Sequence, residues 1–361
     1  MKFIITAGGQ GTKLWPVSRD NYPKQFNNII GDKTLFQMNL EALLKRHSPE
    51  DIYVSVSEKY VDYVRKQAPQ ISKENYIIEP HIKKATGPST CYSMLHMAIK
   101  HPNEVIMYYV QPVVLRTPVD KYLDMIESIE SIVKENGKLV TGGKYPLYPE
   151  VGSDYQKLGN KITTSTGLEV YDAIEFVPRP ATLSEATQML STMKLALHCN
   201  HSTWTPTEFF KNLELYKKDW FDVSMELKEL ILNNASLDKI LEVYSKFSTG
   251  NIELFTKSLY TAGRVQVVIL PFEWHHVTTW NDIYEYQKDI ENPLYQGVSV
   301  FVDCENNLII NKTNSVVAGI GLKNMIIVQT EDATLVCHRE DSGRVGELLK
   351  SMELQGLVQY L

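Results

Sequence analysis

The sequence predicts an α/β fold, a doubly wound and mostly parallel sheet, with a small β-rich domain at its C-terminal end. Three observations carry this. A short apolar run over residues 3–6 (FIIT) opens at once into Gly8, Gly9 and Gly11. Apolar, β-prone runs then alternate with helical patterns of about ten residues or more, as right-handed βαβ units do. After residue 297 the helical patterns give way to brief β-rich runs separated by turn residues.

The elements follow in order. Residues 35–46 (LFQMNLEALLKR) have helical spacing, 52–56 read as a strand, 58–67 as a helix and 76–79 as a strand. A helix near 89–100 and a strand over 105–110 come next. The helix 120–136 and strand 138–141 continue the alternation, which Gly142 and Gly143 are expected to break. A strand over 168–177 runs into Pro178 and Pro180, residues 206–247 read as helices, and a strand over 264–270 returns to the sheet. Residues 281–297 read as a helical linker with breaks at Pro293 and Gly297. The runs VSVFVD, NLIIN, SVVAGIG, NMIIVQT and ATLVCH then suggest a small roll or β-helix, ended by a helix over 344–355. The expected organisation is one domain over 1–280, a linker over 281–297 and a β-rich domain over 298–361.

Composition narrows the function. With 361 residues, 43% hydrophobic and 22% charged, the chain is globular and larger than one core usually serves. Its 37 Lys and Arg against 43 Asp and Glu give a net charge of -6, which opposes a nucleic-acid or anionic-membrane surface, so any phosphate must be bound locally. Cys91, Cys199, Cys304 and Cys337 lie far apart with no C-x-x-C pair, which points to a reducing cytoplasm rather than a disulfide framework. The first apolar run is too short for a signal segment, and no stretch approaches about eighteen apolar residues, so membrane spanning is not expected.

Residues 7–26, AGGQGTKLWPVSRDNYPKQF, are the most informative stretch. Three glycines directly after the first strand let backbone amides converge without Cβ obstruction, which is how main chain holds phosphate, and Lys13 and Arg19 add cations. The spacing is neither G-x-G-x-x-G nor the Walker pattern, so dehydrogenase and P-loop readings lose support. By spacing alone, a glycine-rich turn without a ligand stays open.

AGGQGTKLWPVSR followed by Pro23-Lys24-Gln25-Phe26 resembles the bacterial mannose-1-phosphate guanylyltransferases, within the nucleoside-diphosphate-sugar pyrophosphorylases, whose signature is AGGxGTRLWPxSR and then PKQF. Glu79-Pro80 with Thr86-Gly87-Pro88 resembles their EP…NTAP segment, and Thr141-Gly142-Gly143 with Pro146 their TxGxxP. Asn200 falls at their WNSG, Trp274 and Trp280 match the tryptophans of WxDVGSW, and QTEDATLV resembles their VxTxDAxLV tail. The resemblance implies a Rossmann-like nucleotide-diphospho-sugar transferase fold. It further implies a reaction of GTP with mannose 1-phosphate that gives GDP-mannose and pyrophosphate. Ala7, Gly8, Gly9, Gly11, Thr12, Lys13, Glu79, Thr86 and Gly87 would hold the nucleotide. Lys13, Lys24 and Arg179 would supply catalytic charge, and Gly142, Glu150 and Asn200 would face the sugar. It also leaves room for a homo-oligomer or an active paralogue as protein partner.

The chain departs from the pattern where the family binds Mg²⁺. The aspartate of P-x-D-H falls on Val114, with Leu115 at the histidine, and the aspartate of WxDVGSW falls on His276. Neither a hydrocarbon nor a neutral imidazole suits Mg²⁺, which takes oxygen ligands. FVEKP is here Phe176-Val177-Pro178-Arg179-Pro180, TGYGY resembles Val151-Gly152-Ser153-Asp154-Tyr155, and the arginine of GTRLWP is Lys13. Glu273, Asp154 and Asp120 lie near these motifs in sequence but are not expected to rescue the metal. Expected, then, is either a slowed guanylyltransferase or a silent sugar-nucleotide-binding paralogue that regulates or scaffolds a partner. Lys83 and Lys84 read as a solvated turn, and Trp15 as a residue packed beneath the loop.

Overall fold

The computed structural model describes residues 1–9, 11–288 and 294–361. β1 (Lys2–Thr6), β2 (Ile52–Ser57), β3 (Tyr76–Glu79) and β4 (Ile106–Val110) pair in parallel in the order β3-β2-β1-β4. Their central strands are buried on both faces, as strands covered by crossover helices must be. The crossovers are α1 (Leu35–Leu44), α2 (Val61–Gln67) and α3 (Thr86–Lys100). A capping box starts α1: Thr34 Oγ1 accepts from the Gln37 amide and the Gln37 side chain accepts from the Thr34 amide. Because β1 has β2 on one side and β4 on the other, the strand order reverses at β1. A ligand crevice is expected at the carboxyl end of such a strand, and the glycine loop sits there.

The chain continues through β5 (Val114–Thr117), α4 (Val119–Asn136), β6 (Leu139–Lys144), β7 (Tyr155–Ile162), β8 (Val170–Val177), α5 (Leu183–Thr192), β9 (Leu195–His198) and β10 (Thr203–Trp204). Four helices follow, α6 (Pro206–Tyr216), α7 (Lys218–Leu232), α8 (Leu237–Ser245) and α9 (Glu253–Thr261), then β11 (Val265–Ile269) and β12 (Glu273–His276). Ten strands make one sheet in the order β11-β8-β7-β9-β6-β10-β4-β1-β2-β3. It is mixed: β11 is parallel to β6, whereas β7, β8, β9 and β10 enter antiparallel.

The expected break at Gly142 and Gly143 does not occur, because β6 runs through both. A Cβ on Gly143 would lie 2.6 Å from Val267 Cγ1, and one on Gly142 would lie 2.9 Å from Leu270 Cδ2. These glycines permit close packing inside the strand rather than ending it.

α10 (Trp280–Gln287) occupies the first half of the expected linker, Pro293 lies outside the described residues, and Gly297 turns the chain at φ +86°. Beyond it come β13 (Tyr295–Gln296), β14 (Ser299–Val302), β15 (Leu308–Asn311), β16 (Val317–Ile320), β17 (Met325–Gln329), β18 (Thr334–His338) and α11 (Val345–Leu354). β13, β15 and β17 stack in parallel, as do β14 and β16, which makes the rungs of a short β-helix. Asp303, Asn306 and Asn324 take positive φ between the rungs, a conformation that short polar side chains tolerate.

Two cores result. The larger one lines the ten-stranded sheet. The smaller gathers Leu14, Trp15, Leu115 and Trp280 with Leu308, Ile326 and Val328 of the rungs. Trp280 Nε1 donates to the Trp15 carbonyl at 2.9 Å, and Trp15 Nε1 donates to the Tyr360 carbonyl at 2.7 Å. Trp15 therefore anchors the segment after the glycine loop to the C-terminal domain. Arg19 joins it, donating to the Tyr360 carbonyl and pairing with Asp332 at 2.8 Å. Arg19, a candidate phosphate cation by sequence, is committed to this latch.

Candidate nucleotide site

The loop after β1 is held from behind. Gln25 Nε2, almost fully buried, donates to the carbonyls of Ala7 (2.9 Å) and Gly9 (2.8 Å), and Ser18 Oγ donates to the carbonyl of Gly11 (2.7 Å). A trans peptide carries its N–H opposite its C=O. Pinning the Ala7 carbonyl to Gln25 thus turns the Gly8 amide away from Gln25, and Gly8, Gly9, Gly11 and Gln25 all line a cleft of about 640 Å³. A Cβ on Gly8 would sit 2.9 Å from Glu79 Oε1, so only glycine lets that carboxylate close over the loop. Ser55 Oγ donates to Glu79 Oε1 at 2.7 Å and orients it. Thr12 and Lys13 open a 3₁₀ turn, Thr12–Leu14, with Lys13 exposed.

Lys24 is the buried cation of the site, 8% exposed, and its Nζ donates to the Val277 carbonyl at 2.7 Å. Its stem passes beneath Gly11, where a Cβ would lie 2.8 Å from Lys24 Cγ and where φ is +58°. Burial, opposed by Asp282 and aided by the charge of Lys13, brings the ammonium down to about 8, so it is still mostly charged at neutral pH. Across the cleft, His81, Lys83 and Lys84 form part of the rim with Lys59. Lys83 and Lys84 therefore border the cleft, where sequence suggested a mere solvated turn.

Thr86 begins α3 at the cleft, and its Oγ1 accepts from the Ile252 amide at 3.0 Å. Gly87 serves packing: a Cβ there would lie 2.0 Å from Trp220 Cη2.

The two positions singled out as altered come together. β5 and β12 form their own antiparallel pair, in which His276 is the Cα partner of Val114 and His275 that of Leu115. Val114 and Leu115 are buried. Burial holds the His276 imidazole down at about 4, helped by the positive charge of Lys24, Arg116 and Lys13, so it is neutral at pH 7.

Residues 2–145 match the family described as nucleotidyl transferase, and residues 297–352 match the MannoseP isomerase/GMP-like beta-helix domain. A mannose-1-phosphate guanylyltransferase of Escherichia coli is 26% identical over 367 residues, covering 99% of this chain and 76% of that protein. One from Klebsiella pneumoniae is 27% identical over 365 residues, covering 99% and 75%. The chain thus joins a nucleotidyl transferase segment to a GMP-like β-helix segment and is similar to mannose-1-phosphate guanylyltransferases along essentially its whole length. A solved structure described as a mannose-1-phosphate geranyltransferase from Thermus thermophilus shares the fold, with a TM-score of 0.81 at 23% identity over 98% of this chain and 99% of that one.

Guanylyltransferases of this family are generally metal-dependent, and this chain's residues do not fit Mg²⁺. The β5–β12 pair offers two aliphatic side chains and a neutral imidazole where carboxylates are needed. No group of three or more His, Cys, Asp or Glu suited to a metal occurs among the described residues. The nearby acids are turned elsewhere. Asp154 pairs with Arg179 at 3.1 Å, Glu273 is exposed and bound to Lys144, and Asp120 is exposed on α4.

Residues expected at the sugar end lie on the β6–β9 side. Asn200, at φ +59°, accepts from the Gly142 amide at 2.6 Å and from Thr141 Oγ1 at 2.9 Å. Asn200 and Thr141 line a recess of about 20 Å³ with Glu253, next to Tyr108 and Tyr109 of the main cleft. Glu150 is half-buried, accepts from Ser153 Oγ at 3.3 Å, and burial holds its carboxyl above the usual range. Arg179 is exposed. Gln25 and Ser18, which set the loop, lie inside the matched motif, but their role there became visible only from geometry. No helix among the described residues is long and apolar enough to cross a membrane.

Proposed function

We propose that the chain is a sugar-1-phosphate nucleotidyltransferase of the mannose-1-phosphate guanylyltransferase type, making GDP-mannose and pyrophosphate from GTP and mannose 1-phosphate. The observation that carries this is the amide-lined loop, with its carbonyls tied back by Gln25 and Ser18, facing the 640 Å³ cleft. Glu79, closed over Gly8, offers a carboxylate matched to the N–H edge of guanine. In the reaction an oxygen of the sugar phosphate attacks the α-phosphorus in line and pyrophosphate leaves, so the protein's work is positioning and offsetting charge. Ala7, Gly8, Gly9, Gly11, Thr12, Lys13 and Thr86 form the nucleotide end, with Gly87 packing behind it against Trp220; Lys24 and Arg179 meet developing charge, and Gly142, Glu150 and Asn200 face the sugar.

The Val114–His276 pairing favours a second reading, a sugar-nucleotide-binding protein that acts on a partner, either a second copy or an active paralogue. Losing metal charge compensation costs several kcal/mol of transition-state stabilisation, which slows turnover by orders of magnitude. Pyrophosphate release from GTP and mannose 1-phosphate, measured beside GDP-mannose calorimetry, separates the two. Robust turnover supports the enzyme, and binding without turnover supports the binder.

A further inference from the structure

The place where the family holds its metal is, in this chain, surrounded by fixed positive charge. Lys24 Nζ sits 2.7 Å from the carbonyl of Val277, the residue after His276, while the same side chain lines the cleft beside Gly11. Arg116, two residues after Val114 on β5, is buried at 7% exposure. Its guanidinium donates to His201 Nε2 at 2.9 Å, to the Val114 carbonyl at 3.1 Å and to Asn39, and stacks on Tyr122 at 4.6 Å. None of those partners is an anion, and no ion pair of Arg116 or Lys24 occurs among the described residues. Lys13 is exposed on the same loop. The acid whose charge acts on Lys24 is Asp282, and its carboxylate is occupied with the amides of Thr278 and Thr279 at 2.8 and 2.7 Å.

A dication brought to the β5–β12 pair meets three cations, while the cleft's Glu79 lies over Gly8 and is engaged by Ser55; a polyphosphate meets complementary charge. We propose that the cleft binds the polyphosphate of its nucleotide without a divalent cation, the Lys24 ammonium and the glycine-loop amides taking the metal's place. This rests on the reading that the cleft accepts a nucleoside polyphosphate. Mg²⁺ bound to GTP removes the charge that Lys24 and Lys13 attract, so magnesium competes with this site rather than assisting it.

Calorimetry with GTP tests this on the full chain, once with EDTA and once with excess Mg²⁺. The expected result is an affinity in EDTA equal to or above that in Mg²⁺. Lys24→Met should lower it about thirtyfold in EDTA, the loss of a charge-assisted contact. The Val114→Asp/His276→Asp double variant should invert the order, binding about tenfold more tightly with Mg²⁺ than with EDTA. Binding to the unaltered chain only in the presence of Mg²⁺ overturns the proposal and leaves the nucleotide reading standing. Absence of binding in both buffers overturns both. The comparison of buffers on the unaltered chain needs no variant to fold.

Discussion

At one end of the cleft, each carbonyl of Ala7, Gly9 and Gly11 has a side-chain donor behind it, and two glycines are fixed by what a Cβ would strike. Beside the cleft, behind Pro112 and Val113 of its lining, β5 and β12 keep their pairing in register while the facing side chains at Val114 and His276 carry no oxygen. The backbone frame is complete in both places, and only the first keeps the chemistry of a ligand site. Packing and ligand chemistry are therefore separable here. β5 remains because Leu115 belongs to the second core and Arg116 bridges to His201, whatever side chain stands at Val114.

This contrast is sharpened most by Gly87→Ala, which drives a methyl into Trp220 and should cost about 3 kcal/mol of stability, read by denaturant unfolding. Gln25→Ala should remove about 2 kcal/mol by leaving the Ala7 and Gly9 carbonyls without donors, and with it about thirtyfold in GTP affinity. Unchanged affinity would mean the loop does not depend on its backing.

The pH dependence of Lys24 gives a third test. With its ammonium held at about 8 in the folded chain, GTP affinity should fall about tenfold between pH 7 and pH 9 as the charge is lost. Over the interval from 8 to the unfolded value of 10.5 the unfolded chain binds more protons, so this group makes the ligand-free protein more stable as pH rises. Binding and stability should move in opposite directions, and Lys24→Met should abolish both trends. The smallest effect is expected at the β5–β12 pair, where His276→Leu should leave GTP affinity within about twofold, because a neutral, shielded imidazole offers the phosphates little.

The parallel half of the sheet was legible because its strands are continuous apolar runs set between amphipathic helices. The antiparallel half was harder. β7 (YQKLGNKI) mixes polar and apolar residues with partial burial, and β10 has only two residues, so neither gives a periodic signal. Gly142 and Gly143 looked like a break because the residues that crowd them, Leu270 and Val267, lie more than a hundred positions away. At the site, the motif residues of the loop and the altered positions Val114 and His276 could be named from sequence. That Val114 and His276 face each other, that Gln25 backs the loop, and that Arg19 serves Tyr360 follow from contacts no local pattern encodes.

The latch between Trp15 and Tyr360 spans 345 positions of sequence. During synthesis the glycine turn is made hundreds of residues before the segment after α11 that completes its support. Damage to the far end, by clipping or by a mutation that loosens the rungs, should then register as weaker phosphate capture at the near end, without any change in the residues that touch the ligand.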